Sequence, residues 1–562
     1  MRDIAKALSL LIPTLDQISS ISGVPGMSLG VFHEGEVVFR HNYGHRDAWS
    51  SPATSQTIYP IGSLTKSFTA LLYGSLVADN LLDWDAPMRT SLPEFRSREP
   101  EINNYATAAD LLSHRTGIPG YEFLYWASPL LLNDSAIIPM FASFPRENQF
   151  RQAWLYNNLG YGLVSLQMSH VTGQDYDKLI QARILEPLNM TRTGTKFDKE
   201  STEDVASVFL VTEDKEAIKN LRPFFLPGSA MIAAGGLASC VDDLLSFYQL
   251  LTQQLSEENE SSDVPGTSPR LKRLETVVSP HAFIRSQRSG NLEQTYAMGW
   301  IRTQLPAELG IMGLNSGLVQ EMPVVGRGSG SRLALYHQGN LPGATSAVYL
   351  FPETNSGVVV LANAFGLSDV PDWISQAIIS TLFDDERSPD SYVKLAQEAV
   401  TNNQQYLNKT AEILKSLKRP GPNQEILGQY SGKYLSTSNP LFLEIYEFEG
   451  HLRVAFQGLP EQEFLLEWLY EDVFSWFPSS LEMMRRGRYP LPVSYYLLAF
   501  ERDALGTVYG LRWPYSEDES TTYIFSKTSE SQLNPTMQGS WELGSFGFLL
   551  ILGVVVVLYR RF

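Results

Sequence analysis

Between Leu64 and Leu76 the apolar residues Leu64, Phe68, Leu71, Leu72 and Leu76 recur at helical spacing, which predicts a helix with Ser63 and Lys66 on the adjoining face. Ahead of it, Met1 to Ser20 interleaves Arg2, Asp3, Lys6 and Asp16 with leucines and predicts an amphipathic first helix. Gly26 to Phe32 then reads as a strand that turns at Glu34-Gly35. Val348, Leu350 and the run Val358-Val359-Val360-Leu361 predict neighbouring strands joined through Pro352-Glu353-Thr354-Asn355. Residues 391–418 carry Leu395, Val400, Leu407 and Leu414 among polar positions and predict a helix, stopped by Arg419-Pro420-Gly421-Pro422. From Gly428 to about Phe525 come short aromatic and β-branched runs such as Phe442 to Tyr446 and Val508 to Trp513, split at Glu449-Gly450 and Ala504-Leu505-Gly506. They predict a small antiparallel barrel or sandwich.

The last apolar run, Leu543 to Tyr559, has no charge and is followed by Arg560-Arg561. At the short limit of a membrane span, it predicts a single C-terminal transmembrane helix, with a buried or interfacial helix as the alternative. The expected organisation is therefore a catalytic part at 1–385, a helical linker at 386–422, a β-domain at 423–528, a linker at 529–542 and the membrane helix at 543–559.

At 562 residues, 43% of them hydrophobic, the chain has material for two or three cores. A net charge of −18 and the lack of a basic stripe argue against nucleic acid as a partner. The one cysteine, Cys240, rules out an intramolecular disulfide and is read as a buried structural thiol. The eight histidines show no zinc spacing, so neither a metal nor another cofactor is expected. The N-terminus lacks the layout of a secretory signal. With a C-terminal anchor, that places the catalytic part on the cytosolic side of a membrane, although the two terminal arginines favour the cytosol themselves and leave the orientation open. Gln253 to Ser268, rich in Glu and Ser, reads as a mobile insertion.

Candidate chemistry begins at Ser63-Leu64-Thr65-Lys66, where spacing of three on a helix makes the serine and the lysine neighbours. A serine hydroxyl needs a nearby base, and a desolvated lysine can supply or help create one. Ser391-Tyr392-Val393-Lys394 has the same spacing, so the motif alone is weak evidence. Ser63 is distinguished by two segments downstream of it, Tyr156-Asn157-Asn158 and, much later, His337-Gln338-Gly339-Asn340.

In that order and at those separations the chain resembles the serine β-lactamase and penicillin-binding-protein superfamily, whose signatures are SxxK, then YxN or SDN, then KTG or a variant. Asp110-Leu111-Leu112-Ser113-His114-Arg115-Thr116-Gly117, Ala234-Gly235-Gly236-Leu237 and Tyr296-Ala297-Met298-Gly299-Trp300 resemble its flanking segments, and the likeness spans roughly residues 5 to 380. The resemblance implies an α/β (α+β) β-lactamase/transpeptidase-like fold: an antiparallel sheet flanked by helices, an all-helical subdomain, and here a C-terminal lipocalin-like β-domain. It implies Ser63 as nucleophile, Lys66 and Tyr156 as a coupled general base, and Asn158 as a partner of Lys66 and of a substrate carbonyl. His337, Gly339 and Asn340 would line the cleft, with the N–H groups of Ser63 and Asn340 as oxyanion hole.

His337 departs from the usual lysine. A histidine is charged only part of the time near neutral pH, so a carboxylate anchor is weakened and esters, thioesters or amides are favoured over penicillins. The expected activity is a serine hydrolase or acyltransferase acting on a small acyl substrate, with a natural-product pathway as setting by family analogy. The competing readings are a true β-lactamase or D-alanyl-D-alanine peptidase and a catalytically silent, membrane-tethered binding protein. Tyr125, Trp126, Trp154 and Trp300 are candidates for apolar walls, with core packing as the alternative.

Overall fold

The structure, a computed structural model, describes residues 3–528 apart from 48–49, 121–133, 198–203, 221–227, 258–269, 285–292, 329, 384–387, 421–423, 438–440, 487–490 and 515–521. Contacts gather the chain into two compact units that part between Gln404 and Gln405.

The first unit is built on one antiparallel sheet. Its elements, in chain order, are strands β1 (Gly26–His33) and β2 (Glu36–Gly44), helices α1 (Thr65–Ala78), α2 (Asn158–Thr172) and α3 (Val241–Glu257), and strands β3 (Ala282–Phe283), β4 (Gln294–Tyr296), β5 (Ile301–Leu305), β6 (Arg332–Leu341), β7 (Ala344–Phe351) and β8 (Ser356–Ala362). Helix α4 (Val370–Leu382) comes next. The strands lie in the order β2-β1-β8-β7-β6-β5-β4-β3, with every neighbouring pair antiparallel.

Strands β7 and β8 are buried at every position. A strand covered on both faces has no solvent side to alternate with, which is why Val358 to Leu361 reads as an unbroken apolar run. Helix α4, buried along its whole length, packs on β7 and β8, and α3 packs on β1 and β8. The N-terminal segment forms two helices, Ile4–Ser9 and Ile12–Ile21, rather than one; Pro13 sits in the first turn of the second, where its missing N–H costs nothing.

The unit boundary falls inside helix α5 (Asp390–Leu417). The second unit is a closed eight-stranded antiparallel barrel of β9 (Gly432–Ser436), β10 (Phe442–Phe448), β11 (His451–Phe456), β12 (Glu463–Tyr470), β13 (Val473–Ser475), β14 (Leu497–Arg502), β15 (Val508–Pro514) and β16 (Thr522–Lys527). Its core is filled by aromatic rings. Trp476 stands 5.0 Å, between ring centroids, from each of Phe456, Phe464 and Tyr496, while Trp513 stands 5.2 Å from Phe456. Both indole N–H groups donate to the Tyr495 carbonyl, at 3.0 and 2.8 Å, so these buried polar edges are satisfied.

The expected membrane anchor is corrected here. Among the described residues no helix is long and apolar enough to cross a membrane, and the last described element is the barrel rather than a helix. A span needs about 20 consecutive apolar residues. The longest described helix, α5, is amphipathic instead, burying Tyr392, Ala396, Val400, Leu407 and Leu414 while carrying Lys394, Glu398, Lys409, Glu412 and Lys415. Membrane attachment, the membrane location and the cytosolic placement derived from it are withdrawn; the stretch 543–559 lies outside the described residues. The expected mobile insertion begins as the end of α3, which runs through Glu257, and its remainder also lies outside them.

Candidate active site

Ser63 occupies a single 3₁₀ turn, Gly62–Leu64, that feeds directly into α1. It is half-buried, while every other residue from Ile61 to Ala70 is buried, so its side chain is the part of this turn open to solvent. Lys66 is fully buried and donates from Nζ to Ser63 Oγ at 3.0 Å and to the Ala234 carbonyl at 2.7 Å. That carbonyl belongs to the short helix Ile232–Gly235, and two more bonds tie this helix and the residues just after it to α1: Thr69 Oγ1 donates to Ala233 O at 2.7 Å, and Leu237 N–H donates to Thr65 Oγ1 at 3.1 Å. The lysine is thus held against the serine by a backbone acceptor that no side-chain motif reveals.

Tyr156 completes the cluster, its hydroxyl 2.8 Å from Ser63 Oγ. Lys66 Nζ lies 4.8 Å from the centre of its ring and 5.2 Å from that of Tyr161. Tyr156 precedes α2, whose first residue is the buried Asn158 and whose N-cap is Asn157. The segment that carries it is laced to residues 114–117. Glu147 N–H bonds Gly117 O at 2.9 Å, Arg151 N–H bonds Arg115 O at 2.8 Å, and Leu155 N–H bonds His114 O at 2.8 Å. Asp110, fully buried, anchors both sides of this pairing by accepting from Arg115 at 2.6 Å and Arg151 at 2.8 Å.

The third segment lies along β6. Asn340 N is 3.2 Å from where a Cβ on Gly62 would stand, which sets the Asn340 N–H beside the Gly62-Ser63 peptide. Gly339 has no alternative: a Cβ there would lie 2.2 Å from Ile61 O, 2.4 Å from Ser346 Oγ and 3.0 Å from Ser63 N. What its missing side chain admits is therefore the nucleophile's own turn. Asn340 Nδ2 donates to the Met312 carbonyl at 3.1 Å.

His337 is fully buried and both ring nitrogens are engaged. A carbonyl only accepts, so the 2.6 Å contact to Gln338 O assigns the proton to Nδ1, leaving Nε2 to accept from the Tyr296 hydroxyl at 3.1 Å. Burial first, and the Lys66 charge second, push its pKa down to about 3. It is a neutral floor to the site, its ring 6.3 Å from that of Tyr156.

Sequence reasoning assigned no role to His114, Tyr296, the Ala234 carbonyl or Met312. Of the candidate walls, Trp154 belongs to the cluster, 5.7 Å from Tyr296. Trp300 is core, fully buried against Tyr248, and Tyr125 and Trp126 lie outside the described residues. Ser391 is the second residue of α5, and Lys394 is exposed. Cys240 is buried, and desolvation drives its pKa up to about 12, so it stays a thiol.

The family model described as Beta-lactamase matches residues 13–380, well over half of the chain. The protein belongs to the β-lactamase family. It is similar to unguisins hydrolase ungD' of Aspergillus campestris, at 25% identity over 437 residues, covering 73% of this chain and 72% of that one. Unguisins hydrolase ungD of Aspergillus violaceofuscus is 31% identical over 180 residues, covering 30% of this chain and 31% of that one. Protein flp of Staphylococcus aureus is 24% identical over 60% of each chain. Among solved structures, the octameric penicillin-binding protein homologue from Pyrococcus abyssi aligns with TM-score 0.51 and 21% identity over 93% of this chain and all of that one. A β-lactamase/D-alanine carboxypeptidase from Pseudomonas syringae aligns with TM-score 0.51 and 18% identity over 68% of this chain and all of that one. At those identities the two structures speak for the fold. Among β-lactamase-family hydrolases, then, this one has a neutral, doubly hydrogen-bonded histidine at the start of its third motif.

Proposed function

We propose that the protein is a serine hydrolase that works through a Ser63 acyl-enzyme on an uncharged ester, thioester or amide. The observation that carries this reading is one oxygen held by two groups: Ser63 Oγ lies 2.8 Å from the Tyr156 hydroxyl and 3.0 Å from Lys66 Nζ.

A phenol facing a buried ammonium has its charged form favoured, so Tyr156 and Lys66 share one proton and together form the base. Ser63 Oγ attacks the acyl carbon while its proton passes to that pair. The N–H groups of Ser63 and Asn340 stabilise the oxyanion, and the pair returns the proton to the leaving group. Water then attacks the ester formed on Ser63, giving its proton to the same pair, and Ser63 leaves reprotonated. The name unguisins hydrolase carried by two relatives supports water over another acceptor and is in keeping with a natural-product acyl substrate. His337 supplies no cation, so a free carboxylate beside the scissile bond gains nothing there.

The test is intact mass after brief exposure of the full chain and of Ser63→Ala to a short-chain activated ester, alongside hydrolysis rates for a matched ester pair with and without a carboxylate. An adduct on wild type alone, with the neutral ester preferred, is the expected result. An unmodified wild type with no turnover overturns the reading, and a preferred carboxylate overturns the substrate assignment.

A further inference from the structure

His114 brackets Tyr156, bonding the residue on either side of it and packing on its ring. Its carbonyl accepts the Leu155 N–H at 2.8 Å, its imidazole Nδ1 accepts the Asn157 N–H at 3.1 Å, and its ring lies 4.4 Å from the Tyr156 ring. One residue therefore fixes the backbone immediately before and immediately after the tyrosine, and the tyrosine's ring as well. We propose that His114 is a positioning residue for catalysis, whose imidazole acceptor sets the place of the Tyr156 hydroxyl relative to Ser63.

Three further observations support this. First, the backbone at His114 is left-handed, at φ 59°, a conformation a non-glycine residue adopts at a cost and holds only where its surroundings enforce it. Second, the ring is locked by other rings, 4.9 Å from Tyr296, 5.4 Å from Tyr161 and 6.3 Å from Trp154, so the direction of Nδ1 is fixed by packing. Third, an acceptor must be unprotonated. Burial, then the positive charge of Lys66, hold the imidazole well below its ordinary pKa and keep it neutral. Nε2, which then carries the proton, has no hydrogen-bond partner among the described residues, so the ring's polar contact is the one to Asn157. An ordinary buried histidine would be served by any arrangement that satisfied it. Here the acceptor is spent on the backbone of the residue next to the base.

The proposal rests on Tyr156 acting as part of the base, and its test keeps the two ideas apart. Acylation and turnover of an activated ester are measured for the full chain and for His114→Phe, His114→Asn, Tyr156→Phe and the double variant His114→Phe with Tyr156→Phe. Phenylalanine keeps the ring and removes the acceptor. Asparagine restores an acceptor atom at the Nδ1 position and tolerates the left-handed backbone. The expected result is a kcat about 10- to 100-fold lower for His114→Phe with KM little changed, on the scale of a small misplacement of a catalytic group, and substantial recovery in His114→Asn. On the Tyr156→Phe background, His114→Phe adds no further loss, because His114 acts through the tyrosine. If His114→Phe does not fold, His114→Ala, which also removes the acceptor, takes its place with the same expectation. Wild-type turnover in His114→Phe, an undiminished second loss in the double variant, or no recovery in His114→Asn overturns the proposal while the role of Tyr156 stands. Wild-type turnover in Tyr156→Phe removes the reading of the base itself.

Discussion

The two histidines beside the Ser63 cluster are governed by burial before charge. His337 is buried, which pushes its pKa from the ordinary 6.5 down to about 3, and His114 is lowered in the same way. Both must be neutral in the folded protein, while in the unfolded chain they bind protons below about pH 6.5. Between roughly pH 6.5 and 3 the unfolded state therefore holds more protons, and stability falls as pH falls through that window. Below pH 6.5 we expect His337→Asn to lose less of its thermal midpoint on acidification than wild type does. An unchanged slope would mean that His337 is not buried neutral. For the same reason, the pH profile of turnover should show no inflection belonging to His337. Legibility at this scale was uneven. Ser63 and Lys66 are three apart on one helix and Tyr156 lies in a short motif, and the fold sets the lysine and the tyrosine within 3.0 Å of the serine oxygen. Ala234 and His114 entered only within flanking segments and without a role, because a backbone acceptor looks alike in every residue type and His114 acquires its role only when residues 114–117 pair with 147–155.

Among the elements, the decisive contact is the approach of β6 to the turn before α1. Ser346 Oγ on β7 donates to the Ile61 carbonyl at 2.8 Å, and that carbonyl also occupies the space a side chain on Gly339 would need. Gly339→Ala should therefore push the strand and the Ser63 turn apart. We expect a loss of about 1–3 kcal/mol from overpacking, read as a lower urea midpoint, together with a much larger fall in acylation rate. Retention of both would show that the turn can yield. The strands and helices themselves were largely legible, since periodicity is a local property: β8 is an apolar run, α1 a stripe, α5 an amphipathic repeat. The order of the strands was not, because pairing β1 with β8 brings together segments more than three hundred residues apart along the chain.

Across the whole molecule a buried acidic pair opposes the histidines. Asp369 and Asp372 at the start of α4 are fully buried, and Asp369 is raised to about 7, mainly by burial and then by the charge of Asp372. A carboxyl raised in the folded state contributes stability that is complete below pH 3.8 and is lost as pH climbs to about 7. This contribution runs against that of the histidines, so it is read as a difference: from about pH 5 to 7 the midpoint of wild type should fall relative to that of Asp369→Asn. Asp369→Asn should lower the midpoint overall by disturbing the helix cap, and a gap to wild type that does not narrow over that range would place the titration elsewhere. The apolar run at 543–559 marks where reading by composition ran out, since length and absence of charge describe an anchor and a packed segment equally well. The filled barrel carries a consequence of another kind. An interior closed by Trp476, Trp513, Phe456 and Phe464 asks of its sequence bulk and alternation. Mutational drift can rewrite such an interior while sparing its shape, so kinship among proteins of this build is expected to fade first there, in step with a family-model match that ends at residue 380.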